Sequence, residues 1–134
     1  MTNRDLSHHN LNGQDLSATI LKGAKIPRLL NNVDLSYCDL TQMNLERCDF
    51  INVKLIGAKL PRSLKFSALV GCDLSGLDLT NSEVDDCDFS EAKLTGVKFP
   101  KIMRDVKLSG CDLTGLHQLH HGRCRPLPCF PQQY

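Results

Sequence analysis

Large aliphatic or aromatic residues recur every five positions through most of this chain, and that period limits what the chain can fold into. The clearest runs lie within residues 6 to 26, 35 to 60 and 74 to 99. A period of five fits neither the 3.6-residue period of an amphipathic helix nor the two-residue period of a half-buried strand. The sequence therefore predicts a repeat architecture in which successive five-residue units stack.

The residues around each central apolar position also repeat. The residue before the centre is usually Asp, Asn or Lys, and the residue two before it is usually small, as in DLSYC, DLTQM, NLERC and LSGCDLTG. From residue 5 to about 115, this pattern resembles the pentapeptide repeat family, whose units read A(D/N)LXX. The resemblance implies an all-β solenoid, a right-handed quadrilateral β-helix of about 5 to 6 coils, with the centre and the small residue inward.

The period slips by one residue in three similar segments, KIPRLL, KLPRSL and KFPKIM. Each segment is either a four-residue side of the tube or a small loop on one longer side. Residues 34 to 72 align without gaps on residues 73 to 111, which is a 39-residue duplication. Seven sides of five residues and one of four make 39, or two whole coils, so the duplication favours the short side.

Three cations occupy unusual places in these short segments. Arg28, Arg62 and Lys101 stand where a small inward residue is expected, and each directly follows a proline. A cation is not buried there without a partner, and proline suits a corner whose N–H is not needed. We expect all three side chains to point outward and to form interaction corners.

The coil count sorts the outward residues before each centre into columns. Acid and base alternate along two of these columns, where opposite charges on neighbouring coils stabilise register. We interpret Lys54, Lys59, Lys93 and Lys98 as rungs of a charge ladder rather than a phosphate site. The columns read Asp15, Asp34, Lys54, Asp73, Lys93, Asp112 and Ile20, Asp39, Lys59, Asp78, Lys98.

Seven cysteines are many for a chain whose first residues lack the apolar stretch of a secretory signal. Five of them fall at the small inward position, where a free thiol acts as a small hydrophobe, and pairs on one face are two coils apart, too far for a disulfide. We therefore expect free thiols and a cytoplasmic location. The five are Cys38, Cys48, Cys72, Cys87 and Cys111.

The period divides the chain into a β-helix domain, residues 1–115, and a His/Cys/Pro-rich tail, residues 116–134. The tail contains no Asp or Glu, and we expect it to cap the tube or to be disordered. An alternative is a tetrahedral zinc site, although the ligand spacing matches no strong signature. The candidate ligands are His117, His120, His121, Cys124 and Cys129.

No motif for a phosphate loop, a nucleophile elbow or a metalloprotease is present, and no apolar run is long enough to span a membrane. With 16 basic and 15 acidic residues the chain has no field that would attract nucleic acid. We expect no enzyme activity, no cofactor and no small-molecule substrate. The densest acidic group, around residues 83 to 88, is interpreted as solvated surface.

The sequence thus predicts a rigid scaffold that binds another protein, whose identity is open. The open end of a coil stack leaves strand edges that a partner or a second copy can cover, so a homodimer through a coil end is one expectation. The resemblance also brings in an alternative, because quinolone-resistance members of the family mimic DNA and bind DNA gyrase. A second alternative, similar to other family members, is a secreted effector module.

Overall fold

Short extended segments stack in parallel on segments 19 or 20 residues further along the chain. The computed structural model describes residues 4–113. Three segments form strands, β1 (Leu29–Asn31), β2 (Asp49–Ile51) and β3 (Ala68–Val70), in one parallel sheet of order β1-β2-β3. Elsewhere the coils meet through single parallel bridges. This arrangement is the predicted β-helix solenoid.

The bridge spacings confirm that the slips are four-residue sides. Asp34 bridges Lys54, 20 residues later, which is four sides of five. Lys54 bridges Asp73, 19 residues later, and this stretch contains the segment KLPRSL. Because Asp34 and Asp73 then lie in one column two levels apart, the loop interpretation, which rotates them onto different faces, is wrong.

Most five-residue sides end in a β-turn at a corner of the tube. The carbonyl of a centre accepts a hydrogen bond from the N–H three residues later, as when Cys38 N donates to Leu35 O at 3.2 Å. The second corner residue then often has positive φ, 64° at Tyr37 and 68° at Gly57, which is typical of a type II turn. One extended centre plus one such turn accounts for the five-residue period.

The centres fill the tube. Leu30, Leu35, Leu40 and Phe50 have no exposed surface, and burying side chains of this size contributes about 1.5–3 kcal/mol each. The rings of Phe89 and Phe99 meet edge to face, with centroids 5.8 Å apart. The narrow interior therefore accepts Leu and occasional Phe, consistent with a chain that contains no Trp.

The five predicted inward cysteines are buried and free. Their thiols also link coils, because four of them donate to the carbonyl of a centre 22 or 23 residues earlier. Ser67 does the same with its hydroxyl, at 2.6 Å from Leu45 O. The small inward position thus favours a short side chain with a weak donor. The four thiol bonds are Cys38 to Leu16, Cys72 to Phe50, Cys87 to Leu64 and Cys111 to Phe89.

The left-handed corners lead to a test of the backbone. Ala18 is exposed and has a φ of 56°, a region in which Cβ costs about 1–2 kcal/mol. Ala18→Gly should therefore leave the free energy of unfolding unchanged or raise it by up to about 1 kcal/mol, whereas Ala68→Gly, in the extended backbone of β3, should lower it by about 0.5–1 kcal/mol. Urea unfolding measures both, and equal losses at the two positions would contradict this account of the corners.

Candidate interaction surface

One face of the tube is split between its coils. The centres of this face include Leu40, Leu60 and Leu79. Leu40 N donates to Lys59 O at 2.7 Å, and Leu79 N donates to Lys98 O at 2.7 Å. The coil of Leu60 and the coil of Leu79 are not joined in this way, because Leu60 N donates to no backbone carbonyl within residues 4–113. The face is therefore hydrogen-bonded in pairs rather than continuously.

One adjacent face is paired without a break. There, Leu16, Leu35, Leu55 and Leu74 each donate a backbone N–H to the next coil, at 2.8–3.0 Å. The column of outward residues on that face is bridged without interruption from Asp15 to Lys93. Backbone pairing between coils is thus continuous on this face and interrupted on the split face.

The short sides of the split face lack backbone donors. Pro61 and Pro100 follow centres of the split face and have no N–H to donate. Among the second corner residues of this face's five-residue sides, Gln42 and Asn81 are not among the described residues with positive φ, whereas Gly23 has a φ of 73°. At most left-handed corners the N–H of this residue donates to the next coil, as Tyr37 N does to Ile56 O at 2.9 Å, although Gly23 N and Gly57 N make no such bond. The split face therefore lacks corner bonds as well.

A groove of about 1190 Å³ follows the split, and we call it the short-side groove. Its floor includes Leu60, Phe99 and Pro100. Its walls bring three cations and three anions together, which gives the groove no net charge but many directional partners. The charged residues are Arg62, Asp78, Glu83, Asp85, Lys101 and Arg104.

Two of the three predicted corner cations line this groove, and the third does not. Arg62, Lys101 and Arg28 are all exposed, as expected. Arg62 and Lys101 both line the short-side groove, two levels apart. Arg28 lies on another corner, where its guanidinium donates to Arg47 O at 3.1 Å. Their role in binding remains a prediction.

Sequence reasoning missed the acids and the third cation of the groove. Asp85 accepts a backbone hydrogen bond from Arg104 N at 3.1 Å, and its carboxylate lies 3.8 Å from the Arg104 guanidinium. Glu83 pairs with Lys65 at 3.8 Å. These acids belong to a group that we interpreted as solvated surface. The recurrence of KLPRSL and KFPKIM on one face was the pattern that pointed to their surroundings.

The predicted charge columns are present, but hydroxyl groups hold their carboxylates. Asp39 bridges Lys59, and Asp78 bridges Lys98, through their backbones. The ion pairs of Lys65 and of Arg104, which are within 4.0 Å, lie outside these columns. Asp78 Oδ1 accepts hydrogen bonds from both Thr80 N, at 3.0 Å, and Thr80 Oγ1, at 2.7 Å. These bonds lower the pKa of Asp78 below its usual value, and Lys98 adds a smaller effect.

The buried thiols are poorly suited to chemistry. Burial raises the pKa of Cys48 to about 11 and that of both Cys72 and Cys87 to about 12. Because the thiolate is the nucleophile and the metal ligand, these groups remain neutral thiols near neutral pH. They serve packing and inter-coil bonding.

Two further predictions concern metals and membranes. Within residues 4–113, no three His, Cys, Asp or Glu side chains are grouped so that they could hold a metal ion. The zinc candidates His117, His120, His121, Cys124 and Cys129 lie outside the described residues, as does the tail, residues 116–134. Among the described residues, no helix is long and apolar enough to cross a membrane.

Comparison with known proteins agrees with the repeat. A family profile described as "Pentapeptide repeat region" matches residues 43–118, while no curated protein matches the chain. One solved structure that it resembles is a trypsin-treated variant of QnrB1, a plasmid-mediated fluoroquinolone resistance protein. The identity is 17%, the match covers 87% of this chain and 71% of the other, and the TM-score is 0.27. A TM-score this low supports no conclusion about binding.

The hydroxyl bonds predict a pH-dependent effect on stability. Asp15 accepts hydrogen bonds from Ser17 N and Ser17 Oγ, which lower its pKa from the usual 3.8. A lowered folded-state pKa stabilises the protein above the unfolded-state pKa, and this stabilisation disappears as pH falls through the folded-state pKa. Ser17→Ala should therefore lower the melting temperature at neutral pH, and the difference from the unmodified chain should vanish in strong acid.

Ser109→Ala is the matched control, because Ser109 occupies the same corner position but follows Lys107 instead of an aspartate. Its melting temperature, measured by circular dichroism across the same pH range, should stay parallel to that of the unmodified chain. A pH-independent loss in Ser17→Ala would show that the hydroxyl does not act through the carboxylate.

Proposed function

Because the chain belongs to the pentapeptide repeat family, we propose that it is a rigid, non-enzymatic scaffold that binds a protein partner. The short-side groove carries this proposal. It follows a face where backbone pairing between coils is interrupted. The scaffold is proposed as a right-handed quadrilateral tube of about 5 to 6 coils that works in the cytoplasm.

An extended polypeptide segment suits the short-side groove better than a small molecule does. Within residues 4–113, the backbone N–H groups of Arg62, Lys101 and Ile102 donate to no backbone carbonyl. An extended segment offers main-chain acceptors to such donors and places alternate side chains into pockets. The two signs of charge on the walls also favour a partner segment that contains both acidic and basic residues.

The chemistry of the described residues supports a binding role. Neutral, buried thiols are not nucleophiles, and carboxylates whose pKa is lowered, such as those of Asp39 and Asp78, stay ionised and are poor general acids. Five free thiols suit a reducing compartment.

Nothing in the tube favours the DNA-mimicking alternative. Of the 16 basic residues two, Arg123 and Arg125, lie in the tail, which leaves 14 basic and 15 acidic residues in the rest of the chain. The bridged columns alternate in sign, as from Asp34 to Lys54 to Asp73. A duplex mimic needs a continuous run of acids along the rod, so we do not extend the proposal to gyrase.

A charge-reversal pair tests the proposal. Arg62→Glu with Lys101→Glu should abolish retention of the partner in affinity capture from cells of the source organism, because both wall cations are replaced. Arg4→Glu with Lys22→Glu makes the same change of charge outside the groove, and should retain the partner as the unmodified chain does. Quantitative mass spectrometry compares the three baits.

Photo-crosslinking then locates the contact. Ile102 lines the groove and is 50% exposed, whereas Ile20 is 69% exposed and lies outside it. A photoreactive residue at position 102 should crosslink to the captured protein, and the same residue at position 20 should not. Equal capture by all baits, or crosslinking only from position 20, would overturn the proposed binding surface.

A further inference from the structure

A second surface runs along one corner of the tube and shares no residue with the groove lining. Five second-corner residues on successive levels form it, and we call them the ridge. Backbone bonds connect the levels: Arg47 N donates to Lys65 O at 3.1 Å, and Phe66 N donates to Asp85 O at 3.1 Å. All five side chains are exposed. From bottom to top the ridge is Arg28, Arg47, Phe66, Asp86 and Asp105.

The charges along the ridge reverse sign about its centre. Two cations lie below Phe66 and two acids lie above it, each one coil apart, or roughly 4.8 Å by the spacing of paired strands. If a second copy of the ridge is rotated by 180° and placed against the first, its cations meet the acids of the first copy and the two Phe66 rings meet. A surface that is complementary to itself in this way is what a two-fold interface requires.

Phe66 is conformationally costly for an exposed residue. Its φ is 64° and its side chain is 48% exposed. A non-glycine residue in this region carries strain, and such strain often marks a functional position. Arg47 lies over the ring, with its guanidinium carbon 4.6 Å from the centroid. Glycine or asparagine would fit this corner better, so folding alone does not explain the phenylalanine.

The ridge cations contact only uncharged groups of their own chain: the Arg28 guanidinium donates to Arg47 O, and the Arg47 guanidinium lies over Phe66. Beside the ridge, Asp85 pairs with Arg104 and Lys65 pairs with Glu83, both at 3.8 Å, and Glu46 accepts a hydrogen bond from Ser63. These flanking groups are thus engaged within the chain. In contrast, within residues 4–113, none of the four ridge charges has an ion-pair partner within 4.0 Å.

We propose that the ridge binds a second copy of this chain, antiparallel, about a two-fold axis at Phe66. Phe66 then packs on the partner's Phe66, Arg47 faces the partner's Asp86, and Arg28 faces the partner's Asp105. The contact is narrow, so the dimer is weak. Its exposed ion pairs are screened by salt, and the dissociation constant should rise about tenfold or more from low to high ionic strength.

Complementary charge variants of the full chain test this pairing in sedimentation experiments. An acidic ridge, Arg28→Glu with Arg47→Glu, and a basic ridge, Asp86→Lys with Asp105→Lys, should each be monomeric because both ridge halves then repel. Mixed in equal amounts, the two variants should form a heterodimer. Arg4→Glu with Lys22→Glu, which matches the acidic variant in charge, should dimerise like the unmodified chain.

Two further variants separate binding from folding. Phe66→Gly relieves the corner strain, so it should keep or raise the melting temperature and yet lose the dimer. Asp86→Asn with Asp105→Asn keeps residues that tolerate positive φ and should also weaken association. A monomeric unmodified chain at high concentration in low salt would overturn the proposal, as would a dimer that survives all ridge variants, which would indicate pairing through a coil end instead.

Discussion

The structure depends on one backbone interaction, the hydrogen bond from the N–H of a centre to the carbonyl one coil further on. On the continuous face this bond recurs from Leu16 to Leu74 at 2.8–3.0 Å. It fixes which residues share a column, because a shift of one residue would exchange inward and outward side chains. The packed Leu centres, the inter-coil thiol bonds and the charge columns all follow from that register.

Both proposed surfaces arise where the corners depart from the plain repeat. The short-side groove opens where Pro61 and Pro100 remove donors and the neighbouring coils lose their bonds. Four of the five ridge residues, all except Arg28, have positive φ, and the exposed ridge side chains are charged or aromatic. The core thus fixes the positions of the coils, and the corners carry the side chains that a partner can contact.

The sequence predicts the core of this molecule better than its surface. The five-residue period, the four-residue sides and the inward cysteines could be read from spacing, because register follows from counting along one chain. The hydroxyl bonds to Asp15 and Asp78 were missed, because opposite charges in a column suggested ion pairs and the closer Ser or Thr competes for the same carboxylate. The groove and the ridge depend on turn conformation, which spacing alone does not determine.

Amide hydrogen exchange of the full chain tests most directly whether interrupted backbone pairing creates the groove. Slow exchange is predicted for the amides of Leu35, Leu55 and Leu74, whose N–H groups bond to the next coil. Fast exchange is predicted for Leu60, Arg62 and Ile102, which line the groove and make no such bond within residues 4–113. Equal protection of Leu60 and Leu55 would mean that the coils are paired on every face, and would contradict the account.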